Sequence, residues 1–165
     1  MLFVLPVPYH SNSMLDRIRK LLLSPEDAAP AHDDLQIAVA VLLVEAARMD
    51  DHFDDAERAT IERMLAGKFR LSPETTRELL ALAEKTAAAS HQYYPFTRLT
   101  VERMDPKQRI ELIEMLWEVA YADGVVDPDE EVLLRRVAGL IYVSDEDRVG
   151  ARHRVLARLQ QKPKT

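Results

Sequence analysis

No cysteine occurs anywhere in the 165 residues, which rules out a disulfide framework, a thiolate zinc site and a cysteine nucleophile. That fits a reducing compartment, and the cytoplasm is the expected location. Glycine is also scarce, with four in the whole chain, and none belongs to a Gly-rich phosphate loop. H-E-x-x-H and G-x-S-x-G are missing as well. The five histidines, at positions 10, 32, 52, 91 and 153, are dispersed. Paired carboxylates can hydrolyse glycosides, but that chemistry needs a sugar cleft with aromatic platforms. The aromatics of "HQYYPF" and Trp117 are expected in the core. The chain is therefore not expected to be an enzyme. A basic excess is absent too, since the net charge is -6, so nucleic acid is not an expected partner. The opening "MLFVLPVPYHSNS" is apolar, but Pro6 and Pro8 break it and it is too short to span a bilayer. No transmembrane segment is expected.

What the chain has in abundance is Leu, Ala, Glu and Arg at helical spacing, and this predicts an all-α fold of seven to eight helices. Residues 1–13 form an expected flexible N-terminal arm, and 14–165 a single helical domain. A first helix is expected over Met14 to Leu23, ended by the prolines of "SPEDAAPA". Asp33 with Gln36 predicts a capping box, followed by a helix from Leu35 to Met49 that is apolar on almost every side. Further helices are expected from Asp54 to Gly67, from the Ser72 cap to about Ser90, and in a short stretch ending near Met104. Three more are expected over Pro106 to Ala122, Pro128 to Gly139 and Asp145 to about Gln160. The basic stretch "RVGARHRVLARLQQKPK" follows the acidic "DED", an order that suits the helix dipole, and it is expected to be a solvated helix.

Acids recur in two turns, "DDHFDDAER" from Asp50 to Arg58 and "DGVVDPDEE" from Asp123 to Glu131. Setting Glu45 on Glu118 gives an offset of 73, at which Asp50 meets Asp123, Asp54 meets Asp127 and Glu57 meets Glu130. After one residue of slippage, Gly67 pairs with Gly139 and Ser72 with Ser144. The repeated unit is helix, acidic turn, helix, glycine stop, capped helix, over about 35–90 and 106–160. Two halves about a pseudo-two-fold are expected, with the helices carrying Glu45 and Glu118 adjacent and antiparallel at the centre.

The pattern E-x4-D-x3-D-x2-E, in the forms "EAARMDDHFDDAE" and "EVAYADGVVDPDE", resembles the tellurite-resistance TerB-like family. It is also similar to the N-terminal region of the membrane co-chaperone DjlA. The likeness covers roughly Leu35 to Leu156 and is more specific in the second half, because the first has Asp51 where the family's glycine stands, with His52 beside it. The resemblance implies an all-helical fold of about seven helices and, for some relatives, divalent-cation binding by acidic residues; it does not imply an enzyme.

The residues themselves leave two readings open. As an EF-hand, "DGVVDPDEEVLL" fails, since Pro128 replaces the glycine at position 6 and Leu134 the glutamate at 12. Asp127 with Glu130, and Asp54 with Glu57, make good capping boxes without any metal. Asp123 and Asp50, however, stand at helix C-terminal ends, where a negative charge is unfavourable. Glu118 and Glu45 lie in apolar surroundings and need partners, either an arginine such as Arg58, Arg63, Arg135 or Arg136 or a hard cation. The candidate ligands for calcium, magnesium, manganese or zinc are thus Glu45, Asp50, Asp54, Glu57, Glu118, Asp123, Asp127 and Glu130, with His52 as a nitrogen donor. The alternative is a helical module that docks an unidentified protein partner and uses its acids only as caps and ion pairs.

Overall fold

A computed structural model of the chain describes residues 32–49, 53–90 and 92–162. The expected arm, the expected helix at Met14 to Leu23, and Asp50, Asp51 and His52 lie outside these residues. Seven α-helices and no strand occur among the described residues: α1 Asp34–Ala47, α2 Asp55–Phe69, α3 Pro73–Ala89, α4 Tyr94–Arg103, α5 Pro106–Ala120, α6 Pro128–Leu140 and α7 Asp145–Gln161. None of them is long and apolar enough to cross a membrane.

The sequence of α1, "DLQIAVAVLLVEAA", has no polar face, and a helix of that kind must be enclosed. Ile37 to Val44, Ala46 and Ala47 are all buried, and α2, α3, α4, α5 and α6 pack around them. Helix α5 lies along α7 and also against α1 and α2, and α6 reaches both α1 and α5. Trp117 on α5 is fully buried, and its indole Nε1 donates to the Arg148 carbonyl of α7 at 3.1 Å. Phe96 is buried as the sequence suggests, but its neighbour Tyr94 is 63% exposed, so "HQYYPF" is core only in part.

Helix starts follow their caps. Ser72 and Ser144 accept from the amides of Thr75 and Asp147 at 3.2 and 3.1 Å, and Asp105 with Gln108 forms a reciprocal box ahead of Pro106. At Asp33 the expected box is only half made. One carboxylate oxygen accepts from Leu35 N, the other from Arg103 on α4, and Gln36 Oε1 is buried without a hydrogen bond.

The expected glycine stops are corrected by the structure. Gly67 and Gly139 lie inside α2 and α6, and the chain turns three residues later. There Arg70 (φ 53°) and Tyr142 (φ 58°) take the left-handed conformation that glycine usually supplies. Leu71 N donates to Ala66 O at 3.1 Å and Val143 N to Ala138 O at 2.9 Å, the wide bond of a Schellman turn in both cases. The apolar Leu71 and Val143 that follow pack on the core and hold these corners. Since the two glycines are helical and a Cβ at either would meet nothing within 4 Å, Gly67→Ala and Gly139→Ala should each raise stability by about 0.4–1 kcal/mol. Urea midpoints that fall instead would show that these glycines serve close packing.

Candidate functional site

The second acidic turn is fully described. After α5, Ala122 N and Gly124 N donate to Val119 O and Tyr121 O, both at 3.0 Å, and Gly124 takes φ 89°. Only glycine adopts that φ without strain. Asp123 Oδ1 accepts from Val125 N at 3.1 Å, so this carboxylate folds its own turn and offsets its unfavourable place at the end of α5. Asp127 caps α6 through Asp129 N at 2.8 Å, and its own N–H donates to Glu130 Oε2 at 3.3 Å. That is the expected capping box, with the difference that Glu130 is 3% exposed and so is a core residue. Tyr121 stacks on Trp117 and its hydroxyl accepts from Arg152 Nε at 2.7 Å, while the Arg152 guanidinium lies over both rings and reaches Glu131 at 4.0 Å.

Glu118, near the end of α5, has its partner on another helix. Its carboxylate accepts from Arg63 Nη2 of α2 at 2.6 Å, which makes Arg63 the partner among the four arginines that the sequence offered. Arg58 goes instead to Glu84 of α3 and lies over the Phe53 ring.

At the first turn, Asp54 Oδ1 accepts from Glu57 N at 2.8 Å and caps α2. Glu57, like Glu130, is almost wholly buried, at 2%. Burial first, and the Glu45 charge second, push the Tyr93 pKa up, while Arg136, whose guanidinium sits 5.6 Å from the ring centre, pulls it down. Asp50 and His52 are outside the described residues. Among the described residues no three His, Asp or Glu side chains converge as a metal cluster. The structure therefore brings Asp54 to Glu57 and Asp127 to Glu130, and takes Glu118 and Asp123 to separate partners.

A second feature went unread in the sequence. Two adjoining hollows of about 250 and 290 Å³ open between α2, α5 and α7 and share Glu118 and Arg158. On α5, Glu114 accepts from both Arg154 and Arg158 of α7, the latter at 2.8 Å. Burial disfavours its charge, but the two guanidiniums outweigh that and hold its carboxyl below the usual glutamate range. The C-terminal basic run is thus not simply solvated: Arg148 is buried, Arg152 is stacked, and Arg154 and Arg158 are paired. The signal was present as acids four apart on α5, at 114 and 118, facing bases four apart on α7, at 154 and 158.

The family model for tellurite resistance protein TerB matches residues 36–153. That span begins in α1, ends within α7 and includes both acidic turns. Comparison with curated proteins gives no significant match, and comparison with solved structures gives none either.

Proposed function

Because the chain belongs to the tellurite resistance protein TerB family, we propose that it is a non-catalytic accessory protein of metal or envelope stress that works by docking a protein partner on its helical surface. One observation carries this reading. In the turn that is fully described, each acid of the doubled motif already serves the architecture, since Asp123 folds the turn, Asp127 and Glu130 cap α6, and Glu118 binds Arg63. Doubling such a motif doubles a way of joining helices and requires no chemistry at the acids. The lack of any phosphate loop, zinc-protease motif or cysteine agrees with a role outside catalysis.

A second reading is favoured by the near-complete burial of Glu57 and Glu130 at matching places beside the cap aspartates. Oxygen-rich sites of this kind suit calcium, magnesium or manganese, and His52 would shift the first toward zinc. Glu45, Asp50, Asp54 and Glu57 would hold one ion, and Glu118, Asp123, Asp127 and Glu130 the other. At the second turn this donor set fits poorly as it stands, since Glu118 must leave Arg63 before the four carboxylates share a ligand.

Calorimetric titration with calcium, magnesium, manganese and zinc separates the two readings, on wild type and on an Asp123→Asn, Asp127→Asn double variant. The docking reading expects no cation binding tighter than about millimolar, the weak end of calcium modules. Tighter binding that the double variant loses would replace it with the cation reading.

A further inference from the structure

We propose that the groove between α2, α5 and α7 is the docking site for an acidic amphipathic helical segment of a partner protein. This rests on the docking reading above and assigns it a surface. The apolar floor is Met115 and Leu159, partly exposed over the buried Met64 and Val155, and methionine is a side chain that adapts to different apolar guests.

The charge of the groove is layered. Glu114 and Glu118, both 17% exposed at the side chain, lie beneath the arginines they bind, whereas Arg63, Arg154 and Arg158 remain 56, 51 and 49% exposed. These two acids are the inner layer and the cations the outer one, while a third acid, the exposed Glu111, also lines the groove. Lys68 and Lys162 extend that outer layer, one along each hollow, and neither forms an ion pair with a described residue. In a chain of net charge -6, this face sets five cations, Arg63, Lys68, Arg154, Arg158 and Lys162, against three acids, Glu111, Glu114 and Glu118, so it is locally positive and complements a short acidic guest, while the chain as a whole repels a long polyanion.

Spacing points to a helix as that guest. Arg154, Arg158 and Lys162 follow one another at intervals of four, which on a helix places them roughly 6 Å apart. Carboxylates at i, i+4 and i+8 of a facing helix repeat at the same interval, and apolar residues on its adjacent stripe would reach the methionine floor. The chain's own segment "MLDRIRKLLL" has the wrong sign for this groove, with Arg17, Arg19 and Lys20 against Asp16.

The test is fluorescence anisotropy with a labelled synthetic peptide that carries glutamates at i and i+4 and leucines on the neighbouring stripe. Wild type is expected to bind it, with affinity that falls as salt rises and drops at least tenfold in a Lys68→Glu, Lys162→Glu double variant. A Lys68→Gln, Lys162→Gln pair should show a smaller loss, and circular dichroism should match wild type in both. Four outcomes would overturn the proposal: no binding, equal binding by wild type and the charge-reversed variant, equal binding of a control peptide with serines in place of the leucines, or sedimentation showing that the lysine changes abolish self-association of the chain. None of these touches the architectural role of the acids, which the cation titration tests separately.

Discussion

Trp117→Ala should lower the stability of the chain by about 3–5 kcal/mol, the usual cost of emptying a fully buried aromatic site. The indole is enclosed by α5 and α7, stacks on Tyr121 and supports the Arg152 guanidinium, so its removal leaves a void at the join between these elements. It also leaves the Arg148 carbonyl without its donor. Trp117→Phe refills most of the volume but not the hydrogen bond, and should cost about 1–3 kcal/mol. Urea unfolding followed by circular dichroism measures both, with an unchanged slope indicating that the unfolded state is the same. A loss below about 1 kcal/mol for the alanine variant, or native fluorescence typical of exposed indole, would contradict the enclosure of this side chain.

Asp127 is expected to give the next largest effect. Asp127→Ala removes the oxygen that caps α6 and should cost about 0.5–2 kcal/mol, whereas Asp127→Asn and Asp127→Ser retain a capping oxygen and should be nearly silent. Asp123→Asn should also be close to neutral, because the Asx turn to Val125 N needs an oxygen and not a charge. The comparison of alanine with asparagine decides the point. If both cost the same, the negative charge itself is at work at this turn and the capping account fails.

Elements that rest on local chemistry were legible in the sequence. Ser72, Asp105, Asp127 and Ser144 each announce a helix start through one oxygen and the next three residues, and each cap is present. Helix α1 was legible as a buried helix because its composition leaves no face for water. What escaped was decided by competition between distant groups. Asp33 caps α1 and also binds Arg103, seventy residues on, while the return bond from Gln36 is not made. The stops of α2 and α6 passed over Gly67 and Gly139 because the next apolar residues, Leu71 and Val143, find the core only after a left-handed turn. Glu57 and Glu130 look like surface caps in sequence, and only tertiary packing shows them buried. The Glu114 cluster had a visible spacing on each helix, but nothing in the sequence says that α5 and α7 face each other.

The enclosure of α1 sets an order of events during synthesis. Its apolar stretch from Ile37 to Ala47 precedes in the chain every described helix that covers it, and the last of these, α6, ends at Leu140. At ribosomal speeds of about 5–20 residues per second, that covering is completed roughly 5–20 s after α1 itself has been made. For those seconds the most hydrophobic segment of the described chain is only partly covered by its own helices. Until then its cover comes chiefly from α3 and α4, so a chain truncated ahead of them would leave an adhesive apolar segment open to water.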